Sequence, residues 1–399
     1  MNIEVNMGPR LDRTCPLGDL LDFRNDIVHP EDNPTGSSIF VGLEHIERDT
    51  GVRIGSERIN LNEMTGRRAR FRAGDIVYGY LRPYLNKVWI AEFDGICSVD
   101  QYVFVVRPGV DRNYVARFLR SAEFLKTAPI RSAPGQLPRI RSGEIAATPI
   151  PLPPLDEQRR IAAVLDKADV LRRKRKRALG LLKKLTQSIF AEMFGDALKE
   201  SASNKKISLG EIFDFKNGVN FSSGDRGRGM PVVDVLNMYT DDIFASIGNL
   251  YRVDLNIRND MILSEGDLLF VRSSVKREGV GWASLFPGSK EPMTHCGFII
   301  RARPRLQKVT FRPHFLVHYL RLPEVRSRLI ASAGQVAITN INQERLGGIE
   351  VPQVRLREQE LFELIAKKIE KQVVLLKKQM ADTEFLFSSL QSRAFSGQV

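Results

Sequence analysis

Cysteine is scarce in this chain: Cys15, Cys97 and Cys296 are odd in number and far apart. That argues against both a disulfide framework and a cysteine-type zinc site, and it fits a reducing compartment, the cytoplasm. Long apolar runs are missing as well. No stretch of about 18 apolar residues occurs, and the opening MNIEVNMGPRLDRTCPLG has no apolar core of a secretion signal, so a soluble protein with no membrane partner is expected. Catalytic signatures are also absent. The chain has no GxxxxGK[ST] phosphate loop, no GxGxxG opening a helix, and no Asn-Pro-Pro-Tyr or Asp-Pro-Pro-Tyr motif for holding a flipped base. His314 and His318 stand four apart, but HFLVH lacks the glutamate of a zinc-protease helix, and His295-Cys296 has no second ligand cluster. A chain without catalysis, metal or cofactor of its own is expected.

Basic charge is abundant. With 60 Lys+Arg against 47 Asp+Glu the net charge is +13, which implies a polyanionic partner, nucleic acid before an anionic membrane surface. The 43% hydrophobic and 27% charged content is that of a folded protein, and 399 residues suffice for two domains.

The stretch from Ile150 to Gly195 organises the rest. Prolines at 151, 153 and 154 forbid a helix before Leu155, and Asp156 with Glu157 puts carboxylates where new helix amides want them. From there Ile161, Val164, Ala168 and Leu171, then Ala178, Leu182, Leu185 and Ile189, follow a 3-4 spacing that predicts a coiled-coil seam interrupted only by Arg175. A helix from Leu155 to Phe194 would be roughly 60 Å long, which suits a spacer better than an element inside one domain.

The chain also repeats itself. LGDLLDFRN at 17–25 recurs as LGEIFDFKN at 209–217, and AGDIV at 73–77 as EGDLL at 265–269, both 192 residues on. Arg107-Pro108 returns as Arg303-Pro304, Phe118-Leu119-Arg120 as Tyr319-Leu320-Arg321, and SAPGQ at 132–136 as SAGQ at 332–335. IPLPPLDEQ at 150–158 has a weaker copy in IEVP at 349–352 with Glu358-Gln359, where Gln353 and Arg355 replace the apolar-proline pattern. The second helix then carries its own seam at Phe362, Ile365, Ile369, Val373, Leu376, Met380, Phe387 and Leu390. Two amphipathic helices in one duplicated chain most simply bury their seams on each other, antiparallel, with approximate two-fold symmetry; packing on their own domains, or homodimerisation, is the alternative. Strands are expected near Asp75–Tyr80, Gln101–Val106, Asp267–Arg272 and Gly297–Arg301, and helices over Asn113–Leu125 and His314–Val325. The fold class is therefore α+β: two similar globular domains, separated by two long helices that form an antiparallel coiled coil, related by a pseudo-two-fold internal repeat.

The IPLPPLDEQ helix entry, the LG[DE]xxDF start of each half and the duplication together resemble the specificity (S) subunit of Type I restriction-modification systems. The resemblance implies target recognition domains at 1–149 and 209–348, a spacer helix at 150–195, a linker at 196–208 and a second spacer helix at 349–399. It implies a DNA-binding subunit, without catalysis, that recognises a bipartite asymmetric site on double-stranded DNA. Two methyltransferase (modification) subunits, and in some systems restriction or translocase subunits, would be its partners. S-adenosylmethionine for adenine-N6 methylation would be bound by the methyltransferase partner. The rival readings are an enzyme in its own right and a coiled-coil interaction scaffold with non-specific DNA affinity.

Reading bases in a groove needs Arg or Lys for guanine and Asn or Gln for adenine, on loops. The candidates are Arg82, Lys87, Gln136, Arg139 and Arg141 in the first half, and Arg272, Ser273, Ser274, Lys276, Arg277, Gln335, Asn340 and Asn342 in the second. The run RRKRKR at 172–177 either neutralises phosphates or forms a solvated or partner-facing helix surface, with Glu370 or Glu384 as carboxylates for Arg175. The loops differ between halves, YLRPYLNK at 80–87 against VRSSVKREG at 271–279, so the two half-sites are expected to differ.

Overall fold

A computed structural model describes residues 14–128, 130, 137–199, 205–240, 242–305, 311–332 and 339–396. The chain divides into two compact units, Met1–Ala178 with Leu376–Val399, and Leu179–Leu375. The first long helix runs Leu155–Lys199 and the second Leu356–Phe395, so each unit holds a part of both.

The two units are built alike. In the first, a short strand Thr14–Pro16 pairs antiparallel with Pro149–Pro151, the segment that enters the long helix. In the second, Lys206–Ser208 pairs with Glu350–Pro352 in the same way. The prolines before each helix therefore lie on two-stranded ribbons, where a missing N–H costs little. A four-stranded antiparallel sheet follows in each unit. Its order is Leu21–Phe23, Gln101–Val106, Ile76–Gly79, Val88–Ile90 in the first and Phe213–Asn217, Ile299–Pro304, Leu268–Val271, Ala283–Leu285 in the second. A second sheet in each contains one parallel pair, Ser37–Val41 with Gly95–Ser98, and Arg226–Val233 with Thr294–His295.

The helices expected over Asn113–Leu125 and His314–Val325 are each two helices: Arg112–Leu119 and Ala122–Thr127, Pro313–Leu320 and Pro323–Ser332. The breaks have local causes. Ser121 caps the second helix of the first pair by accepting the Phe124 N–H at 3.0 Å, and Pro323 opens the second helix of the other pair, where its missing donor is no loss.

The recurring Glu-Gln at each long-helix entry has a structural reason. Gln158, buried, donates to Pro153 O at 2.8 Å and accepts the Asp111 N–H at 2.9 Å. Gln359 does the same, with Val354 O at 2.9 Å and the Arg312 N–H at 2.8 Å. Each glutamine thus ties the start of a long helix to the start of a helix in the globular part.

The helix ends are anchored by phenylalanine. In the second unit Phe194 packs edge-on against Phe315 at 4.8 Å and beside Phe190 at 5.0 Å, with Phe362 completing the cluster. In the first, Phe395 of the second long helix packs on Tyr114 at 5.4 Å and Phe118 at 5.3 Å. The helix segments in the first unit run antiparallel: Arg175 reaches Gln379 O at 2.7 Å, and Arg172 pairs with Glu384 at 2.8 Å and lies 4.2 Å over Phe387.

The seam of the first helix needs correcting. Val164, Leu171 and Leu185 are 39, 43 and 45% exposed, while Ile161, Leu165 and Phe190 are buried and Ala168, Leu182 and Ile189 half-buried. The inward stripe passes through Asp169, 3% exposed, because buried Arg117 needs a carboxylate and takes both Asp166, at 2.7 Å, and Asp169, at 3.3 Å. Ion pairing, not apolarity, sets the rotation of the helix there. Arg175 is also partnered differently, by Gln379 O and the Thr383 hydroxyl, with Glu384 given to Arg172 and Glu370 lying 3.3 Å from His314. On the second helix Phe362, Ile369 and Phe387 are buried and Ile365, Val373, Leu376, Met380 and Leu390 half-buried.

Two histidines make the second unit acid-sensitive. His295 is held down to about 4, chiefly by burial, which outweighs the opposing Lys216 carbonyl, with Arg301 and Arg303 adding to the fall and Asp267 opposing it. His318, between Phe190 and Phe362, is held down to about 3 by burial and by nearby Arg321 and His314. Since the unfolded chain binds these protons more tightly, their contribution is fully present above about pH 6.5 and is lost as pH falls toward 4 and 3. At pH 5 each costs on the order of 2 kcal/mol. Thermal unfolding at pH 7 and pH 5 is expected to show a drop in the midpoint of the second unit, and His318→Leu is expected to remove about half of the histidine part of that drop.

Candidate nucleic-acid interface

The strand Ile76–Gly79 continues as Tyr80-Leu81-Arg82, and this extension is captured by the segment after the recognition helices. Arg82 N–H donates to Pro138 O at 2.7 Å, Ile140 N–H donates to Tyr80 O at 3.3 Å, and Leu81 and Arg139 face each other in an antiparallel bridge. Two basic residues far apart in sequence are thereby placed on adjacent strands. Arg82 sits in the left-handed region, φ +51° and ψ +60°, a conformation that costs a non-glycine residue energy and must be enforced by its surroundings. The bond to Pro138 holds it against the following Pro83 ring, which by itself favours an extended backbone. Asn86, also left-handed, is locked by its amide donating to Arg120 O at 2.9 Å.

An aromatic platform adjoins the bridge. Tyr80 stacks on Tyr102 with centroids 4.4 Å apart, and exposed Tyr84 follows Arg82 and Pro83. Burial first, then Asp100 and Tyr102, raise the Tyr80 hydroxyl above its usual range, while Arg139 and Arg67 pull it down. Those two guanidiniums therefore lie near the platform. Several other arginines in this unit are bound to acids, Arg24 to Asp75, Arg53 to Glu92 and Arg107 to Asp22, while Arg68 and Arg120 bond backbone carbonyls. Arg67, Arg82 and Arg141 have no side-chain hydrogen bond or ion pair among the described residues, and Arg139 reaches only Leu137 O of its own loop, at 3.5 Å. Basic groups that no acid binds, near stacked tyrosines with Asp100 also close by, suit phosphates and base edges. Lys87 does not join them: its ammonium donates to Leu43 O at 2.5 Å.

The second unit repeats the bridge. Ser273–Ser274 pairs antiparallel with Thr339–Asn340, Ile341 N–H donates to Arg272 O at 2.9 Å, and the Ser273 and Asn340 side chains bond to each other. Arg272 is tethered to Gly297 O at 3.3 Å. Beyond Ser274 the loop projects Val275, 89% exposed, with exposed Lys276 and Arg277. It closes at Gly279, where a Cβ would lie 2.2 Å from the Tyr239 hydroxyl and 2.4 Å from Ser274 Oγ, so only glycine fits. Asn342 serves the fold instead, its Oδ1 accepting the Arg345 N–H at 2.9 Å to cap the helix Gln343–Gly347. Gln136 and Gln335 lie outside the described residues.

Sequence reasoning missed Tyr80, Tyr102 and Arg67, because nothing local marks two strand ends as neighbours. It also missed Arg226 and Arg228, although RGRG at 226–229 was a usable signal; Arg226 lies 4.7 Å over Tyr251, and both arginines are exposed. The run 172–177 is divided. Arg172, Arg173 and Arg175 engage Glu384, Asp169 and Thr383, and Lys174, Lys176 and Arg177 are exposed. Among the described residues no cluster of three or more His, Cys, Asp or Glu could hold a metal, and no helix is long and apolar enough to cross a membrane.

Comparison with known proteins gives a concordant family. Residues 59–179 match the Type I restriction modification DNA specificity domain. Over 196 residues, 48% of this chain, the sequence is 33% identical to the Type I restriction enzyme EcoDI specificity subunit of Escherichia coli. Over 331 residues, 76% of this chain, it is 24% identical to the StySPI specificity subunit of Salmonella potsdam. The chain spans 43% of the length of the first relative and 69% of the second. Two solved structures share the fold. One is a chain from a structure of complex assembly in a type I R-M system, with TM-score 0.59, 20% identity and 97% of this chain and 98% of that one covered. The other is the S subunit of a Type-I restriction-modification system from M. genitalium, with TM-score 0.57, 16% identity and 99% and 98% covered.

Replacing Lys276 and Arg277 together by alanine is expected to weaken duplex binding without sequence preference. It should also lower the slope of log affinity against log salt by about 2, one phosphate contact per side chain, as read by fluorescence anisotropy across a salt series.

Proposed function

We propose, starting from a chain that carries a Type I restriction modification DNA specificity domain and is related in sequence and fold to Type I specificity subunits, that it is the non-catalytic subunit that chooses the DNA site of a methyltransferase complex. Each unit contributes one recognition domain, 1–149 and 209–348, and the long helices connect them. The observation that carries this reading is the duplicated bridge: one backbone arrangement, repeated, displaying Arg82 and Arg139 in one unit and Ser274 and Asn340 in the other. A common frame with different side chains is what reading two unlike half-sites requires. Binding energy comes largely from phosphates, and specificity from the bridge and neighbouring loops.

The methyl transfer belongs to partner subunits, two adenine-N6 methyltransferases that bring S-adenosylmethionine, joined in some systems by a restriction or translocase subunit. The long helices support a protein partner. In the second unit Leu181, Leu185, Leu361, Leu364, Val374 and Leu375 are exposed, and in the first Val164, Leu171, Phe385 and Leu386 are. Apolar surface of this extent on helices is a mark of protein docking. The complex acts on chromosomal DNA in the cytoplasm.

Methylation mapping of genomic DNA tests the reading. A host carrying this chain with its methyltransferase is expected to show a split N6-methyladenine motif that disappears when this chain alone is removed. An unchanged methylome with an active methyltransferase would leave a helical scaffold with non-specific DNA affinity. In the same assay, deleting seven residues from each long helix, within Val164–Leu185 and at the facing positions of the second helix, is expected to shorten the gap between half-sites and leave both half-sites unaltered.

A further inference from the structure

The two bridges correspond residue by residue. Ile76 pairs with Phe104 as Leu268 pairs with Ala302. Four residues on, Tyr80 N–H donates to Asp100 O at 3.2 Å and Arg272 N–H to Phe298 O at 2.8 Å. Ile140 then closes on Tyr80 as Ile341 closes on Arg272, and Leu81 faces Arg139 as Ser273 faces Asn340. Arg82 therefore occupies the place of Ser274, and Arg139 the place of Asn340.

From this correspondence, and resting on the function proposed above, we infer that the first unit reads guanine through Arg82 and Arg139, and that the second unit does not read guanine from the equivalent positions. Arginine offers five donors in a planar fork and no acceptor, and its fork matches guanine O6 and N7 in the major groove. Serine and asparagine have neither that fork nor that charge. Arg139 faces Leu81, the residue before Arg82, and the left-handed backbone of Arg82 ends the strand's alternation there, so the two arginines leave the bridge from adjacent positions.

Preorganisation separates base reading from a loose phosphate contact. The left-handed backbone of Arg82 is held by its bond to Pro138, which sets the direction of an exposed guanidinium lacking an acidic partner among the described residues. Arg139 is placed next to Tyr80 by the bridge to Leu81, and its guanidinium reaches only Leu137 O, at 3.5 Å. A phosphate contact needs only charge, which lysine supplies as well as arginine. A guanine reader needs the fork, so Arg→Lys distinguishes the two.

The experiment is methylation mapping of the whole complex with three altered chains: Arg82→Lys with Arg139→Lys, Arg82→Ser with Arg139→Asn, and the reciprocal Ser274→Arg with Asn340→Arg. The wild-type motif is expected to contain guanine in the half-site read by the first unit. The lysine pair is expected to relax those guanines by about tenfold or more in site preference while the other half-site keeps its sequence. The Ser/Asn pair should relax the same positions, and the reciprocal pair should introduce a guanine preference in the other half. The inference is overturned if the lysine pair leaves the motif unchanged, if methylation falls equally at all sites with base preference intact, or if both half-sites change together. Because the lysine pair keeps charge and near-equal bulk, an unchanged thermal midpoint establishes that the altered chain is folded. A wild-type complex with no split motif would instead remove the function itself, a result distinct from an intact motif that ignores these arginines.

Discussion

Burial of the last turns of the two long helices is the constraint on which the other features rest. Phe194 sits among Phe190, Phe315 and Phe362, and Phe395 between Tyr114 and Phe118. A helix of forty-odd residues gains little from propensity alone and needs a buried face to hold its position. Here each unit supplies that burial at the end of one helix and a glutamine tie at the start of the other. The Gln158 and Gln359 amides leave no freedom at the entry, because each is bonded at both its donor and its acceptor.

With the helices pinned, the strand order of each unit follows, and with it the bridge. The two-stranded ribbons that feed the helices and the order of the four-stranded sheets are the same in both units. The units diverge where the sheet runs out, at 80–87 with 138–141 and at 272–279 with 339–342, and in their second sheets, five-stranded in the first unit and three-stranded in the second. That division of labour is physically sensible: a packed core penalises variation by kilocalories, and an exposed strand end does not.

Charge is distributed by the same logic. The arginines needed for packing are matched with acids, as Arg117 is by Asp166 and Asp169 and Arg303 by Asp267, or with backbone carbonyls, as Arg321 is by Ala283 O and Arg326 by Val280 O. Part of the excess that gives the chain its net +13 is exposed, at Arg67, Arg82 and Arg141 and at the tip Lys276-Arg277. Reading composition alone finds the excess; it does not tell which arginines are spent on the fold. Lys87 and Asn342 looked equally available in sequence and are occupied by Leu43 O and the Arg345 N–H.

What the amino-acid sequence determined by itself was everything carried by repetition and short-range chemistry. The duplication, the long helices with their proline-marked entries, the seam of the second helix and the strand cores at 76–79, 101–106 and 268–271 are local in cause, so they were legible. Tertiary structure alone decided the rotation of the first helix, since the partner that turns Asp169 inward is Arg117, on another element. It alone decided which loop residues stand together, because Leu81 and Arg139, and Ser273 and Asn340, meet only through backbone pairing between segments distant in the chain. Long-range hydrogen bonds and buried ion pairs leave no periodic trace in a sequence, and these are the interactions that turn the first helix and assemble the two bridges.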